Sequence, residues 1–275
     1  MTGAGKGWAR GKTAESDPRV ARAAAAHVGL VYQRRTPIEL CRWRGASGRP
    51  TSYEWTPAMA YAVGLIATDG CLIEQGRAIA FVSQDAQLVE TLLHCLGREA
   101  KYRICRTRLG REIYRFQVKD AVLYRWLEQA GLMPRKSLTL GAIDVPAALL
   151  AHVVRGLLDG DGSIIDKVWR ADTSRRSDYY YEWFRAQFVS ASRDHVDWLH
   201  AKLRSELGLR GWVGTRVPPG RNPIHQLVFG KHDSIRLLAW VYADREDPCL
   251  LRKRAIWDDY ASRHADLLPP RSLPS

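Results

Sequence analysis

From Thr56 onward the apolar residues of this chain follow two alternating periods. The stretch AMAYAVGLIA (58–67) is apolar nearly all round, which predicts a helix buried on most faces. Thr56 suits its N-cap and Pro57 its first turn, and Asp69-Gly70 ends it. CLIEQ (71–75) and RAIAFVS (77–83) read as two strands around Gly76. DAQLVETLLHCLG (85–97) follows at helical spacing and stops at Gly97. KYRICRTR (101–108) and REIYRFQVK (111–119) predict a hairpin around Gly110, and DAVLYRWLEQAG (120–131) a further amphipathic helix. The order is helix, two strands, helix, two strands, helix.

After a linker at about residues 133–145 the same order returns. PAALLAHVVRGLLDGDG (146–162) is again an apolar helix that starts at a proline. SIIDKVWR (163–170) and YYYEWFRAQFVS (179–190) read as strands, and RDHVDWLHAKLRSELG (193–208) as a helix. GWVGTRV (211–217) and PIHQLVFGK (223–231) form a hairpin around Pro218-Pro219-Gly220; DSIRLLAWVYAD (233–244) closes the copy. A tail helix, LLRKRAIWDDYASRH (250–264), comes after it. The expected fold is α+β: tandem αββαββα modules with pseudo-two-fold symmetry. The expected divisions are a basic arm (1–50), a first module (51–142) and a second module with the tail helix (143–275).

The repeat is sharpest at GLIATDG (64–70) and GLLDGDG (156–162), which lie 92 positions apart. Small residues at Ala60, Gly64 and Ala67, and at Gly156 and Gly160, would let two helix backbones approach closely. Side by side, the helices would bring Asp69 and Asp161 together near the pseudo-two-fold axis. Asp159 has Ala67 as its counterpart, so only Asp69 and Asp161 occur in both copies. A carboxylate at a helix C-terminus opposes the helix dipole, and two in proximity oppose each other. A divalent cation is the simplest reason for such an arrangement, and Mg²⁺ takes oxygen ligands of this kind.

Net charge is +13, with a pI near 9.8, which favours a polyanionic partner, most often nucleic acid. Residues 1–50 hold ten Lys/Arg against three acids, so they carry +7 of the +13. With little apolar periodicity, they read as a basic arm that builds no core. The five cysteines are scattered and form no Cys-x-x-Cys pair, which argues against a zinc ribbon and a disulfide framework. The longest apolar run is far short of the roughly 18 to 20 residues of a membrane helix. With no basic-then-apolar leader in view, the expectation is a monomer in the cytoplasm, nucleoid-associated when bound to DNA.

The two motifs AVGLIATDG (62–70) and VRGLLDGDG (154–162), with the surrounding order of elements over residues 56–260, resemble the LAGLIDADG homing endonucleases in their single-chain, two-motif form. The resemblance implies two saddle-shaped antiparallel sheets, joined at the paired motif helices and seated in the major groove of a long double-stranded DNA site. It implies that Asp69 and Asp161 hold the metal, joined by the preceding carbonyls of Thr68 and Gly160. It implies catalytic lysines at the ends of the fourth strands, here Lys119 and Lys231, and a polar residue near the end of each second strand: Ser83 or Gln84, and Gln187 or Ser190. Ala67 departs from the pattern, where an acid is usual. The chain lacks the termini of an intein, so a free-standing or intron-encoded protein is expected.

The activity so implied is Mg²⁺-dependent phosphodiester hydrolysis, with Mn²⁺ able to substitute, one acid serving each strand of a double-strand break. Base reading would fall to the hairpins. In REIYRFQVK, Arg111, Ile113, Arg115, Gln117 and Lys119 share one face by alternation, and Tyr114, Phe116 and Val118 the other. Arg and Gln suit bidentate contacts to guanine and adenine. Arg103, Arg185, Gln187, Arg216 and Gln226 are further candidates, and Arg175 and Arg176 suit phosphate. Two other classes fit the same fold: an intron RNA maturase, and a regulator that binds DNA without cutting it.

Overall fold

The computed structural model describes residues 51–99, 101–170 and 180–268. The basic arm 1–50 lies outside the described residues, as do Arg175 and Arg176, the candidates for phosphate contact.

The first module runs α1 (Pro57–Asp69), β1 (Gly70–Ile73), β2 (Ala78–Ser83), α2 (Ala86–Cys95), β3 (Arg103–Arg106), β4 (Glu112–Lys119) and α3 (Ala121–Gln129). The second runs α4 (Leu150–Asp159), β5 (Ser163–Arg170), β6 (Tyr180–Ser190), α5 (Arg193–Leu207), β7 (Trp212–Arg216), β8 (Ile224–Val228) and α6 (Lys231–Val241), and is followed by α7 (Leu251–Arg263). Each module builds a four-stranded antiparallel sheet, ordered β1-β2-β4-β3 and β5-β6-β8-β7. This is the α+β repeat that the hydrophobic pattern predicts.

Alternation along the strands decides which face meets the helices. Leu72, Ile79, Phe81 and Phe116 are buried on one side of the first sheet, and Phe184, Ala186 and Phe188 on one side of the second. α1 has Thr56 as its N-cap, whose side chain accepts from the Met59 amide. Nearly all of α1 is buried, as its uniform apolarity requires. α4 starts later than its proline suggests, because a single 3₁₀ turn, Ala147–Leu149, leads into it.

α1 and α4 cross at their glycines. A Cβ added to Gly156 would lie 2.4 Å from the carbonyl oxygen of Tyr61 and 2.9 Å from the Cα of Gly64. Gly70 is not the left-handed cap expected of a helix stop: at φ −88 and ψ 161 it is already extended and starts β1. Space explains it instead, because a Cβ there would sit 2.7 Å from the Cα of Ile66. The chain thus passes directly from the motif helix into the sheet, and the carboxylate sits at the corner.

Candidate functional site

Asp69 is the last residue of α1, and Asp161 lies two positions beyond the end of α4. The two helix ends touch: a Cβ on Gly160 would fall 2.0 Å from the Thr68 hydroxyl oxygen. Burial and then the Asp161 charge push the Asp69 carboxyl up to about 6. Burial raises Asp161 as well, and the cations of Lys136 and Lys253 pull it back. The structure therefore brings the two acids of the repeat within each other's field.

Two buried lysines come with them. Lys136 Nζ donates to the carbonyls of Gly70 (2.6 Å) and Thr68 (3.3 Å). Lys253 Nζ donates to those of Leu158 (2.6 Å), Asp159 (2.8 Å), Gly160 (3.1 Å) and Gly162 (2.7 Å). Neither motif helix carries a basic residue in its own last turn, so these ammonium groups satisfy the terminal carbonyls and oppose the negative end of the dipole. Burial lowers both lysines, Lys253 to about 8.

The structure does not bring Lys119 and Lys231 to the acids. Lys119 pairs opposite Ala78 at the outer end of the first sheet, and its chain lies beside Gly76 in the β1–β2 turn. That is three register positions from the Gly70–Phe81 pair, about 10 Å along the strand. Lys231 Nζ is held 2.6 Å from the Glu182 carboxylate, five positions along β6 from Gln187, which pairs with Ser163 at the Asp161 end. The strand-end landmark leads to Lys119 and Lys231, whereas the lysines that lie at the acids come from the segment beyond each module's last helix. An Arg-Lys pair stands there in both copies, Arg135-Lys136 and Arg252-Lys253, and is the signal that could have found them.

Asp159 is fully buried and faces away from this pair. Its Oδ2 accepts from the Tyr61 hydroxyl (2.9 Å) and the Leu250 amide (2.7 Å), and its Oδ1 from the Tyr242 hydroxyl (3.0 Å). It joins α4 to the segment that leads into α7. Of the second-strand candidates, Ser190 lines a small cleft with Thr68, Asp161 and His195. Ser83 turns its hydroxyl to the Asp85 amide (3.0 Å), Gln84 is exposed and Gln187 lies on the sheet face. Among the described residues no three His, Cys, Asp or Glu side chains group to hold a metal ion. Any cation here would rest on the two carboxylates and neighbouring carbonyls, an all-oxygen set that suits a hard ion.

The sheet faces turned away from the helices carry most of the candidate DNA contacts. Arg103 pairs with Arg115, and Gln117 and Lys119 follow on the same side; Arg111 lies in the turn just before β4. On the second sheet Arg185, Gln187, Gln226 and Arg216 share one side through the pairs Val189–Gln226 and Arg216–Ile224. This side also holds Trp169, Tyr181 and Trp183, aromatics to which the hydrophobic pattern alone assigns no role. Trp169 stacks on Tyr181 at 5.6 Å, and the Arg185 guanidinium lies 3.7 Å from the Trp183 ring centre.

No family model matches the chain, and no curated protein matches it in sequence. Among solved structures, the meganuclease I-SmaMI bound to an uncleavable DNA with a TTGT central four is similar to it at a TM-score of 0.50. The identity is 12%, over 81% of this chain and 99% of that one. A second I-SmaMI complex, with a TTCT central four, gives a TM-score of 0.51 at 12% identity over 78% and 95%. This chain has the LAGLIDADG fold. Full-length DUF199/WhiA from Thermatoga maritima is similar at a TM-score of 0.45 and 14% identity, over 78% of this chain and 71% of that one. Within the LAGLIDADG fold of this chain, the acids and the two buried lysines sit where the paired helices enter their sheets, and the crossing glycines lie further back inside the helices. No helix of the described residues is long and apolar enough to cross a membrane.

Proposed function

We propose that this chain is a site-specific DNA endonuclease of the homing type, which makes a double-strand break in a long target as a monomer and depends on Mg²⁺, with Mn²⁺ as a substitute. The observation that carries this reading is the pair Asp69 and Asp161, the first half-buried and the second exposed, brought into one another's field where the two motif helices enter their sheets. Asp69 held near 6 by burial and like charge is a site that gains from a cation. The donor set fits: Asp69, Asp161 and the carbonyls of Thr68 and Gly160 would hold it. Bound there, the ion would supply charge stabilisation at a scissile phosphate and a nucleophile at neutral pH.

The chain's own residues would do the rest. Lys136 and Lys253, anchored on the carbonyls beside the acids, would place positive charge against the phosphate oxygens. The outward sheet faces would hold the duplex in the register that sets one acid against each strand. DNA is the partner of I-SmaMI in the structures that share the fold, and the +13 charge is consistent with the same partner here.

A DNA-binding protein that does not cut is the second reading. One observation favours it: the Thr68 and Gly160 carbonyls already accept from lysine ammonium groups, at 3.3 and 3.1 Å, so a cation would share those oxygens with a positive charge that opposes it. Selection of cleaved molecules from a randomised duplex library, with Mg²⁺ and with EDTA, separates the two. Mg²⁺-dependent enrichment of one long sequence supports the nuclease; enrichment by binding with no cleavage supports the second reading.

A further inference from the structure

Each lysine is fastened to its own motif helix, but the segment that carries it is gripped by the other module. Gln87, in the first turn of α2, uses both ends of its amide on the chain just before Lys253. Its Nε2 donates to the Cys249 carbonyl (2.8 Å), and its Oε1 accepts from the Leu251 amide (3.0 Å). Asp85, the residue before α2, pairs with Arg252 at 3.0 Å. The second module repeats the arrangement on the chain just after Lys136. Ser192, the N-cap of α5, donates to the Leu140 carbonyl (2.5 Å), and His195 Nδ1 lies 2.9 Å from the Gly141 carbonyl and donates to it. Leu140 is in turn tied to Lys136, since its amide donates to the Lys136 carbonyl (2.8 Å).

A chance interface contact would not be expected at the equivalent place in both modules. Here the first turn of the helix after the second strand is used twice, with different chemistry each time: an amide fork and a buried hydroxyl–imidazole pair. Ser192 and His195 are both buried, so their bonds to Leu140 and Gly141 are shielded from competing water.

We propose that Gln87 and His195 are positioning residues acting across the pseudo-two-fold axis, each holding the other module's lysine segment in place. Asp159, through the Leu250 amide, adds a tie from within the second module. The consequence is that neither module sets its own lysine alone. If the lysines serve cleavage, as proposed above, each strand's cut depends on both halves of the chain.

Hydrogen exchange on the full chain, read by mass spectrometry, tests this without any need for activity. Gln87→Leu is expected to speed exchange across residues 250–254 by about tenfold, the equivalent of losing one hydrogen bond, and to leave 136–143 unchanged. His195→Leu is expected to do the reverse, and His195→Asn, whose amide nitrogen can take the place of Nδ1, to restore protection. Gln87→Glu and Ser192→Ala remove one donor each and are expected to give the same crossed pattern, so the outcome stands even if a leucine variant does not fold. Loosening of both segments by either variant, or of the variant's own module alone, overturns the proposal. On a duplex that the wild type cuts, Gln87→Leu and His195→Leu are expected to leave opposite strands uncut and so to accumulate opposite nicks; equal slowing of both strands counts against it. A wild type that cuts no duplex refutes the nuclease reading, while the exchange pattern still decides the positioning role.

Discussion

A methyl group on Gly64 would lie 2.3 Å from the carbonyl oxygen of Val153 and 2.8 Å from the Cα of Gly156. The atoms in the way are backbone, which cannot swing aside as a side chain can. Gly64→Ala and Gly156→Ala therefore force the two motif helices apart, and each is expected to cost about 3 kcal/mol, the upper end for overpacking a core. The measurement is the midpoint of urea unfolding at constant slope. Gly141→Ala is the control, because nothing lies within 4 Å of a Cβ there. Equal stability of all three variants would mean that the helices are not held at backbone contact.

Asp69 makes stability depend on pH in a direction opposite to that of an ordinary surface acid. Burial and then Asp161 raise its folded pKa to about 6, above the usual 3.8, so the folded state holds the proton more tightly than the unfolded one. Its stabilising contribution is present at low pH and is lost as pH rises through 6; the shift corresponds to about 3 kcal/mol. Asp69→Asn is expected to raise the melting temperature at pH 8 and to lose that advantage below about pH 4. Mg²⁺ is expected to stabilise the wild type more at pH 8 than at pH 5, and to do little for Asp69→Asn, which is expected to cut no DNA. A wild type indifferent to Mg²⁺ at pH 8 would remove the case for a cation at the acids.

The lysines separate chemistry from binding. Lys136→Met and Lys253→Met remove an ammonium beside the acids, and each is expected to slow single-turnover cutting by about 100-fold, the scale for losing one positioned charge stabiliser. Lys119→Ala, at the outer end of β4, and Lys231→Ala, at the start of α6, are expected to leave the rate on bound DNA within about twofold. Rapid-quench kinetics with DNA saturated by protein makes the comparison. The reverse ranking would restore the strand-end lysines as the catalytic pair.

Much of the fold was legible because period and burial are linked. α1 reads as buried all round and is; the strands alternate, and their apolar sides meet the helices. The repeat also pointed to Asp69 and Asp161, since glycine spacing on two apolar helices implies that their ends meet. The residues that stayed hidden are those whose role depends on contacts far along the chain. Lys136 lies in what reads as a linker and Lys253 in what reads as an added tail. Each sits next to arginine, in a pattern that suggests a solvated surface, and a buried lysine is among the least expected residues of a core. Gln87 and His195 carry no periodic signal either: their partners are 162 and 54 positions away. The aromatic side of the second sheet was visible as strand pattern, but which face it took depended on the pairing register of β5 and β6.

The outward sheet faces predict two distinguishable kinds of mutant. Arg185 has its guanidinium 3.7 Å from the Trp183 ring centre, and its Nε has no hydrogen-bond partner among the described residues. A guanidinium fixed by stacking, its Nε buried, is suited to a bidentate contact with one guanine through its terminal nitrogens. Arg185→Ala is expected to relax preference at a single target position, by about 1 to 3 kcal/mol against the wrong base, and to leave the other positions as they were. Lys119, at the exposed end of β4, is suited to phosphate. Lys119→Ala is expected to weaken binding to every duplex alike and to flatten the slope of log K against log salt by about 0.9. Binding of each variant to the selected target, to its single-base variants and to a scrambled duplex, over a salt series, reads both effects at once. If Arg185→Ala weakens all duplexes equally, the stacked arginine is a phosphate contact and base reading lies elsewhere on the sheet. If Lys119→Ala changes one position only, the outer end of β4 reaches into the groove, and the division between the two roles is drawn in the wrong place.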